Sequence, residues 1–347
     1  MKILVSLILI INCLLSMFEV GCGLKNINQR TSSIYITNGT SQSTKLITSD
    51  TIQTIEASSI FTPTTEVIPF DTTRLGTVEK DIIYATVDGI ALKMDIYYPK
   101  AVNTFLPAVV YVHGGGWTSG DKSTGAGSRT IPELLSRGYL VASINYRLAP
   151  QYKIQSQIED IKCAIRFLRA KASDYGIDKE HIGAIGGSAG GHLVSLLGTS
   201  DVSAELEGSG GYHDQSSRVQ AVVDLFGPAD LVTMFQNYSA AQLKILFGTN
   251  SPYSDVVRKV SPVNYITADD PPFLILHGDK DAVVPPIQSE ILYRKLTDAK
   301  VPATLVIVKN AGHVFTPVGE PISPSQDEIN ILIADFFDRY LKSQVDY

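Results

Sequence analysis

Apolar residues follow two different patterns along most of the chain. Short continuous apolar runs, such as residues 107–113, are typical of strands that are buried on both faces of a sheet. Longer stretches with apolar residues three and four positions apart, such as residues 158–172, are typical of amphipathic helices. Because the two patterns alternate, they predict an α/β fold with a mostly parallel sheet and helices on both of its faces.

The alternation divides the chain into a regular series of elements. Two β-rich runs, residues 77–86 and 91–98, are joined through Asp88 and Gly89 and predict a hairpin at the antiparallel edge of the sheet. Further strands are predicted at residues 107–113, 138–146, 181–186, 219–226, 272–277 and 303–308, and helices at 131–137, 158–172, 189–197, 287–297 and 327–341. Residues 228–262 interrupt the series with a helical segment, which is either a surface insertion or a cap over an active site.

The first 66 residues lack this periodicity. Residues 1–21 combine one Lys with an apolar run that is marginal for a membrane span, which favours a cleaved signal peptide over a retained anchor. Residues 22–66 are rich in Ser and Thr and poor in large apolar residues, which predicts a flexible linker. We therefore assign the catalytic domain to residues 67–347 and expect it to be secreted, or anchored on the extracytoplasmic side of a membrane.

Cys22 adds a second possibility for the export of the chain. Gly21 precedes it after a short apolar core, as in bacterial lipoproteins, whereas Glu19 stands where such signals normally carry Leu or a similar residue. Lipidation at Cys22 and simple signal cleavage nearby therefore both stay open. A lipid on Cys22 would tether the domain to a membrane.

The overall composition argues against several classes of protein. Apolar residues make up 44% of the chain and charged residues 18%, so the chain can bury a large core and is not globally disordered. The net charge of −6, without a basic run, does not fit a nucleic-acid-binding protein. The three cysteines, Cys13, Cys22 and Cys163, have no spacing typical of a zinc site or of a disulfide in the mature domain.

A glycine-rich motif lies at the junction between a predicted strand and a predicted helix. Residues 186–190 read Gly-Gly-Ser-Ala-Gly, which is the G-x-S-x-G pattern of a nucleophile elbow. The turn is so sharp that the residues flanking Ser188 must be small, and the hydroxyl then projects at its tip. Amide groups at the N-terminus of the following helix favour negative charge that develops on a substrate oxygen. Ser188 is therefore the candidate nucleophile.

A second glycine-rich segment, His-Gly-Gly-Gly-Trp at residues 113–117, follows another predicted strand. Three consecutive glycines let the backbone direct its N–H groups towards an oxyanion, although a turn that only reverses the chain would have the same composition. The pairing with the elbow favours an oxyanion hole, for which Gly115, Gly116 and the amide of Ala189 are the candidate donors. Trp117 is a candidate wall of the substrate pocket.

The acid and the base of a catalytic triad are expected later in the chain, in loops that follow parallel strands. One such loop contains Asp279 and Asp281, and the next contains His313. His313 is the preferred base, and Asp281 is preferred over Asp279 as the acid. In the predicted mechanism His313 accepts the Ser188 proton, Asp281 orients the imidazole, and an acyl-enzyme forms without a metal or a cofactor.

These motifs resemble those of the esterase/lipase branch of α/β-hydrolases that contains hormone-sensitive-lipase-like esterases. The matching segments are HGGGWTSGDK (113–122), INYRLAP (144–150), IGGSAGGHLVSLLG (185–198), PPFLILHGDKDAVVP (271–285) and AGHVF (311–315). The chain is also similar to secreted bacterial acetyl- and feruloyl-esterases that act on plant polysaccharide. Trp117, in place of the Phe common in hormone-sensitive-lipase-like members, favours these carbohydrate esterases.

The resemblance implies an α/β-hydrolase fold with a mostly parallel eight-stranded sheet, an antiparallel N-terminal hairpin, helices on both faces and a small helical cap. It also implies a catalytic triad and an oxyanion hole, formed by Ser188, Asp281 and His313 and by Gly115, Gly116 and Ala189. The expected partner is a small-molecule or polysaccharide-linked ester, with no nucleic acid. The favoured reaction is the cleavage of short-chain or carbohydrate-linked acetyl or feruloyl esters.

Two other functions are compatible with the same residues. Kynurenine formamidases resemble this arrangement, so an amide hydrolase of the formamidase or peptidase type is one alternative. A non-catalytic binding module on a hydrolase scaffold is the other. Such modules usually lack part of the triad, whereas every part is available in this chain.

Overall fold

The computed structural model describes residues 75–100, 105–123 and 130–342 of the chain. The predicted signal peptide at residues 1–21, the predicted linker at 22–66 and Cys22 lie outside the described residues. The start of the predicted domain at residue 67 is also outside them. The fold is therefore that of the chain from β1 onward.

A single eight-stranded sheet organises the described part of the chain. Its strands are β1 (Leu75–Val87), β2 (Ile90–Pro99), β3 (Leu106–Val112), β4 (Leu140–Ile144), β5 (Ile177–Gly187), β6 (Ala221–Leu225), β7 (Phe273–Gly278) and β8 (Ala303–Val308). They lie in the order β1-β2-β4-β3-β5-β6-β7-β8. β1 pairs with β2 and β2 with β4 in antiparallel fashion, and the other neighbours are parallel. The predicted mostly parallel sheet with an antiparallel N-terminal hairpin is confirmed.

Helices cover both faces of the sheet, as the alternating pattern predicts. They are α1 (Thr130–Ser136), α2 (Ile154–Ala170), α3 (Ala172–Tyr175), α4 (Ala189–Thr199), α5 (Leu231–Phe235), α6 (Ala240–Phe247), α7 (Asp255–Lys259), α8 (Ile287–Asp298) and α9 (Gln326–Leu341). Side chains of α2, α4 and α8 belong to one apolar cluster, and side chains of α1 and α9 belong to the other. The short helices α5, α6 and α7 lie in the helical segment predicted at residues 228–262.

The start of α2 differs from its prediction by four residues. The apolar spacing predicts a helix from residue 158, whereas the helix begins at Ile154. The first turn contains the polar Gln157, which is completely buried. Its side-chain NH₂ group donates to the Trp117 carbonyl at 2.8 Å, which compensates for the loss of water at that group. A buried polar side chain in a first turn leaves no apolar signal in the sequence.

The parallel strands place their C-terminal ends at one edge of the sheet, where α/β proteins bind their ligands. β5, β7 and β8 are each followed at this edge by a loop or a turn that carries polar residues. None of the helices in residues 75–100, 105–123 and 130–342 combines the length and the apolar character that crossing a membrane requires.

Candidate active site

Ser188 is the single residue between β5 and α4, and its backbone conformation is strained. Its φ of 57° and ψ of −120° are unfavourable for a non-glycine residue and are typical of a nucleophile elbow. The Ser188 N–H donates to the Leu225 carbonyl at 2.9 Å, which fixes the turn against β6. Gly190 must be small, because a Cβ atom there would lie 2.2 Å from the Val112 carbonyl oxygen. The fold thus holds the Ser188 hydroxyl at the tip of the turn, where it is partly exposed.

His313 connects Ser188 to Asp281 through two hydrogen bonds. The His313 Nε2 atom is 3.0 Å from Ser188 Oγ, and its Nδ1 atom is 2.7 Å from Asp281 Oδ2. Because a carboxylate only accepts hydrogen bonds, Nδ1 carries the proton of the neutral imidazole and Nε2 accepts from the hydroxyl. The structure brings together the three residues of the predicted triad, although Ser188 and His313 are 125 positions apart.

Asp281 is held as a carboxylate by its surroundings. Its Oδ1 accepts from the backbone N–H groups of Val283 and Val284 at 2.8 and 3.0 Å, and its Oδ2 lies 3.3 Å from His277 Nε2. Burial of the group favours the neutral acid, but the hydrogen bonds from His277, His313 and Val284 outweigh it. They hold the pKa of Asp281 well below its usual value. Asp281 therefore presents a full negative charge to His313 at any pH near neutrality.

The second acid of the same loop points elsewhere. Asp279 Oδ2 lies 3.8 Å from Lys309 Nζ, and its backbone N–H donates to the Val308 carbonyl. The loop turns so that Asp281, two residues later, faces His313. The geometry thus places Asp281 rather than Asp279 beside the imidazole.

The predicted oxyanion-hole residues lie next to the elbow. Gly115 has a φ of 120°, and a Cβ atom there would lie 2.2 Å from the Ser119 carbonyl oxygen, so only glycine fits. Gly114 packs against the elbow, because a Cβ atom there would lie 3.5 Å from Ser188 Cβ. In the part of the chain that the structure describes, the N–H groups of Gly115, Gly116 and Ala189 donate to no protein acceptor. They are therefore available to a substrate oxygen.

Trp117 lies largely inside the protein, with 7% of its surface exposed. Its indole Nε1 donates to His192 Nδ1 at 3.1 Å, and its ring packs against Phe235 with 5.7 Å between the ring centroids. Its predicted contact with substrate stays a prediction, and the structure adds an anchoring contact that the sequence did not indicate. Within the described ranges, no group of three or more His, Cys, Asp and Glu side chains is arranged as a metal site.

Two residues that sequence reasoning missed support the base and the acid. Phe226 has a φ of 46°, which is rare for an aromatic residue, and its ring meets the His313 ring edge-on with 4.9 Å between centroids. His277 is completely buried and lies beside Asp281. Its Nε2 donates to the Val284 carbonyl at 2.8 Å, so its Nδ1 accepts from Ser289 Oγ at 2.6 Å. Both residues sit at strand ends in the sequence pattern, where nothing indicates their contacts across the site.

Asp224 is a completely buried carboxyl group behind the elbow helix. Its Oδ2 accepts from Ser195 Oγ at 3.0 Å and its Oδ1 from the Gly227 N–H at 2.8 Å. Burial raises the pKa of Asp224 from 3.8 to about 6, although these hydrogen bonds oppose the shift. The carboxylate form therefore costs stability at neutral pH.

Replacing Asp224 with asparagine is expected to stabilise the protein at neutral pH. The amide preserves both hydrogen bonds, and one pKa unit corresponds to about 1.4 kcal/mol, so the gain should reach up to about 3 kcal/mol near pH 8. Because the folded-state pKa is raised, the wild type recovers stability relative to Asp224→Asn as the pH falls from about 6 to 3.8. Urea unfolding of both proteins across this range measures the difference. If the difference in unfolding free energy between the two proteins did not change with pH, the raised pKa of Asp224 would be contradicted.

Comparisons with known proteins identify the family to which the chain is similar. The BD-FAE family model matches residues 94–296. Esterase LipQ of Mycobacterium tuberculosis is 33% identical over 215 residues, which cover 60% of this chain and 50% of that protein. This chain therefore spans about half the length of this curated relative.

Two solved structures share the fold over most of their length. A truncated carbohydrate esterase from gut microbiota is 31% identical, with a TM-score of 0.68, and the match covers 78% of this chain and 98% of that one. An esterase of Thermogutta terrifontis that is phosphorylated by paraoxon is 28% identical, with a TM-score of 0.62, over 75% of this chain and 93% of that one.

Proposed function

This chain belongs to the BD-FAE family of α/β-hydrolase esterases, and we propose that it hydrolyses carboxylic esters with Ser188 as the nucleophile. The observation that carries the proposal is the hydrogen-bonded series from Ser188 through His313 to Asp281, with distances of 3.0 and 2.7 Å. The N–H groups of Gly115 and Ala189, which donate to no protein acceptor within the described ranges, support the same reaction.

The proposed reaction forms and then hydrolyses an acyl-enzyme. Ser188 Oγ attacks the ester carbonyl while its proton moves to His313 Nε2, and the negative oxygen of the tetrahedral intermediate accepts from the oxyanion-hole amides. Asp281 stabilises the imidazolium. The alcohol leaves with the proton from His313. Water then repeats the sequence: His313 takes its proton, the hydroxide oxygen attacks the acyl carbon, and the acid leaves as Ser188 regains its proton.

The proposed substrates are short-chain or carbohydrate-linked esters that carry acetyl or feruloyl groups. The similarity to a gut carbohydrate esterase across 98% of that chain supports this class. The test is a panel of p-nitrophenyl acetate, methyl ferulate, acetylated xylan and N-formylkynurenine. We expect hydrolysis of the esters and of acetylated xylan. Turnover of N-formylkynurenine in preference to every ester would instead identify an amide hydrolase.

A fluorophosphonate probe separates the catalytic proposals from a binding module. An activated Ser188 forms a covalent adduct with the probe, and mass spectrometry locates it on the peptide that contains residue 188. The likeness to an esterase that paraoxon phosphorylates supports this expectation. Absence of labelling at Ser188 would contradict both the esterase and the amide-hydrolase functions.

The proposed site of action is outside the cytoplasm. Residues 1–21 would act as an export signal, residues 22–66 as a linker, and Cys22 as a lipid attachment site or as a residue next to the cleavage site. The test compares the wild type with Cys22→Ala in a bacterial host. Membrane association of the wild type that is lost in the variant supports a lipid tether, and equal release of both proteins supports simple cleavage.

A further inference from the structure

We propose that His192 is a positioning residue for the oxyanion hole, and that it acts through the indole of Trp117. The inference rests on the proposed function, because it concerns the groups that would stabilise the oxyanion in that reaction. His192 is completely buried in α4, four residues after Ser188. Its two ring nitrogens connect two other segments of the site.

The hydrogen bonds of His192 define its protonation and its tautomer. Its Nδ1 lies 3.1 Å from Trp117 Nε1, and its Nε2 lies 2.7 Å from the Val260 carbonyl oxygen. An indole N–H only donates and a carbonyl only accepts, so Nδ1 is the acceptor and Nε2 carries the proton. Burial lowers the pKa of His192 to about 4, although the bond to Val260 acts in the opposite direction. The imidazole is therefore neutral under the conditions in which esters are hydrolysed.

The glycine segment before Trp117 needs an anchor at each end. Gly115 and Gly116 have φ angles of 120° and 58°, and glycine backbone changes conformation at little energetic cost. The N-terminal end is fixed by β3 and by His113, whose ring stacks on Tyr146 with 4.3 Å between centroids. At the C-terminal end the Trp117 carbonyl accepts from the Ala149 N–H at 3.0 Å and from Gln157 Nε2 at 2.8 Å. The Trp117 indole adds a further anchor, its bond to the helix that carries Ser188.

The bond between Trp117 and His192 relates two sets of oxyanion donors. Gly115 and Gly116 belong to the loop that Trp117 ends, whereas Ala189 belongs to the helix that carries His192. The bond therefore ties the loop donors to the helix that holds the third donor and the nucleophile. Donors in an oxyanion hole act only when they are held at hydrogen-bond distance from the developing charge. The bonds of the Trp117 carbonyl hold the loop to other segments, so loss of the indole bond is expected to shift the loop donors relative to Ser188 without unfolding the loop.

Two amide substitutions separate the two hydrogen bonds of the imidazole. In His192→Asn the side-chain oxygen takes the position of Nδ1, so it can accept from Trp117 while the bond to Val260 is lost. In His192→Gln the side-chain NH₂ takes the position of Nε2, so it can donate to Val260 while the acceptor for Trp117 is lost. Each variant loses one buried hydrogen bond, so similar losses of thermal stability are expected from the two.

The two variants should differ in activity in spite of similar stability. His192→Gln is expected to lower kcat by about 10- to 100-fold with little change in KM, because small displacements of catalytic groups carry penalties of this size. His192→Asn should stay within about fivefold of the wild type, since the anchor of Trp117 is kept. A trifluoromethyl ketone, which forms an oxyanion adduct with the serine, should lose affinity for His192→Gln in proportion to the loss in kcat/KM.

The intrinsic fluorescence of the protein reports the same bond without catalysis. Trp117 is the only tryptophan of the sequence, so the emission spectrum comes from this indole alone. The emission of His192→Gln should differ from that of the wild type, and the emission of His192→Asn should match it.

Ser195→Ala is the matched control, because it removes a buried hydrogen bond to Asp224 from the same helix. It should lower the melting temperature and leave kcat unchanged.

The outcomes separate this proposal from the proposed function. If the wild type hydrolyses an ester and the Asn and Gln variants have equal kcat values, His192 has only a structural role and the positioning proposal is wrong. Unchanged Trp117 emission in His192→Gln would overturn it as well. If the wild type neither hydrolyses esters nor reacts with a fluorophosphonate, the proposed function fails first. A selective loss in His192→Gln of both kcat and ketone affinity supports the proposal.

Discussion

Substitution of Ser188 by alanine should lower kcat by about a million-fold, which is the size of effect seen when a serine triad loses its nucleophile. The loss is expected because Ser188 Oγ is the proposed nucleophile, and within the described residues it is the one hydroxyl hydrogen-bonded to His313 Nε2. The measurement is the turnover of p-nitrophenyl acetate by Ser188→Ala and by the wild type at equal concentration. The fold should not change, because within the described residues the hydrogen bond that the Ser188 side chain loses is the one to His313.

The matched comparison for this prediction is Asp281→Asn. An asparagine can hold His313 in the wrong tautomer, and kcat should fall by about 10⁴-fold while the hydroxyl remains present. Removal of Ser188 and His313 together should cost little more than removal of either, since the triad acts as a unit. Residual turnover of Ser188→Ala within tenfold of the wild type would contradict the assignment of the nucleophile, as roughly 10⁶-fold is expected.

The second large effect, a loss of stability, is expected from a buried ion-pair network outside the candidate triad. Lys162 and Arg166 of α2 have 0% and 1% exposed side chains, and both pair with the carboxylate of Glu207. Lys162 Nζ lies 2.9 Å from Glu207 Oε1, which also accepts from Ser217 Oγ at 2.8 Å. The pKa of Lys162 is lowered by burial, and Glu207 opposes that shift. The carboxylate thus compensates two buried positive charges.

Glu207→Ala should lower the free energy of unfolding by about 3–5 kcal/mol, because it leaves buried charges without a counterion. Guanidinium denaturation of the variant and the wild type measures the change. Glu290→Ala is the control, because it removes the carboxylate from an exposed pair with Arg294 at 2.9 Å, and it should cost less than about 0.5 kcal/mol. If the two substitutions lowered the free energy of unfolding equally, the Glu207 network would contribute no more to stability than an exposed ion pair.

The series of strands and helices could be predicted from the sequence because periodicity is a property of neighbouring residues. β8 has the predicted bounds of residues 303–308, and β5 and α4 meet at the predicted junction. The prediction was less accurate where polar residues are buried, as at the start of α2, because the compensating hydrogen bond comes from a distant segment. Gln157 Nε2, for example, donates to the carbonyl of Trp117, 40 positions away.

The candidate nucleophile, the candidate base and the glycine loop could also be identified from local sequence. A tight turn between a strand and a helix requires small residues around Ser188, and a row of glycines frees the backbone amides near Gly115. The sequence favoured Asp281 over Asp279 as the acid but did not exclude Asp279, because both residues lie in one loop. The selection depends on the direction of that loop, which the Val283 and Val284 amides determine by binding Asp281 Oδ1.

The sequence by itself determined the order of the helices and strands, and it showed which loops after the strands contain reactive residue types. Both can be identified from residues that are close together in the chain. Tertiary structure alone decided which side chains meet across the site: Phe226 with His313, His277 with Asp281, and Trp117 with His192. The last pair is separated by 75 positions. Such contacts depend on how the sheet brings distant strand ends to one edge. A local pattern of hydrophobic and polar residues does not predict contacts between residues that are so far apart in the sequence.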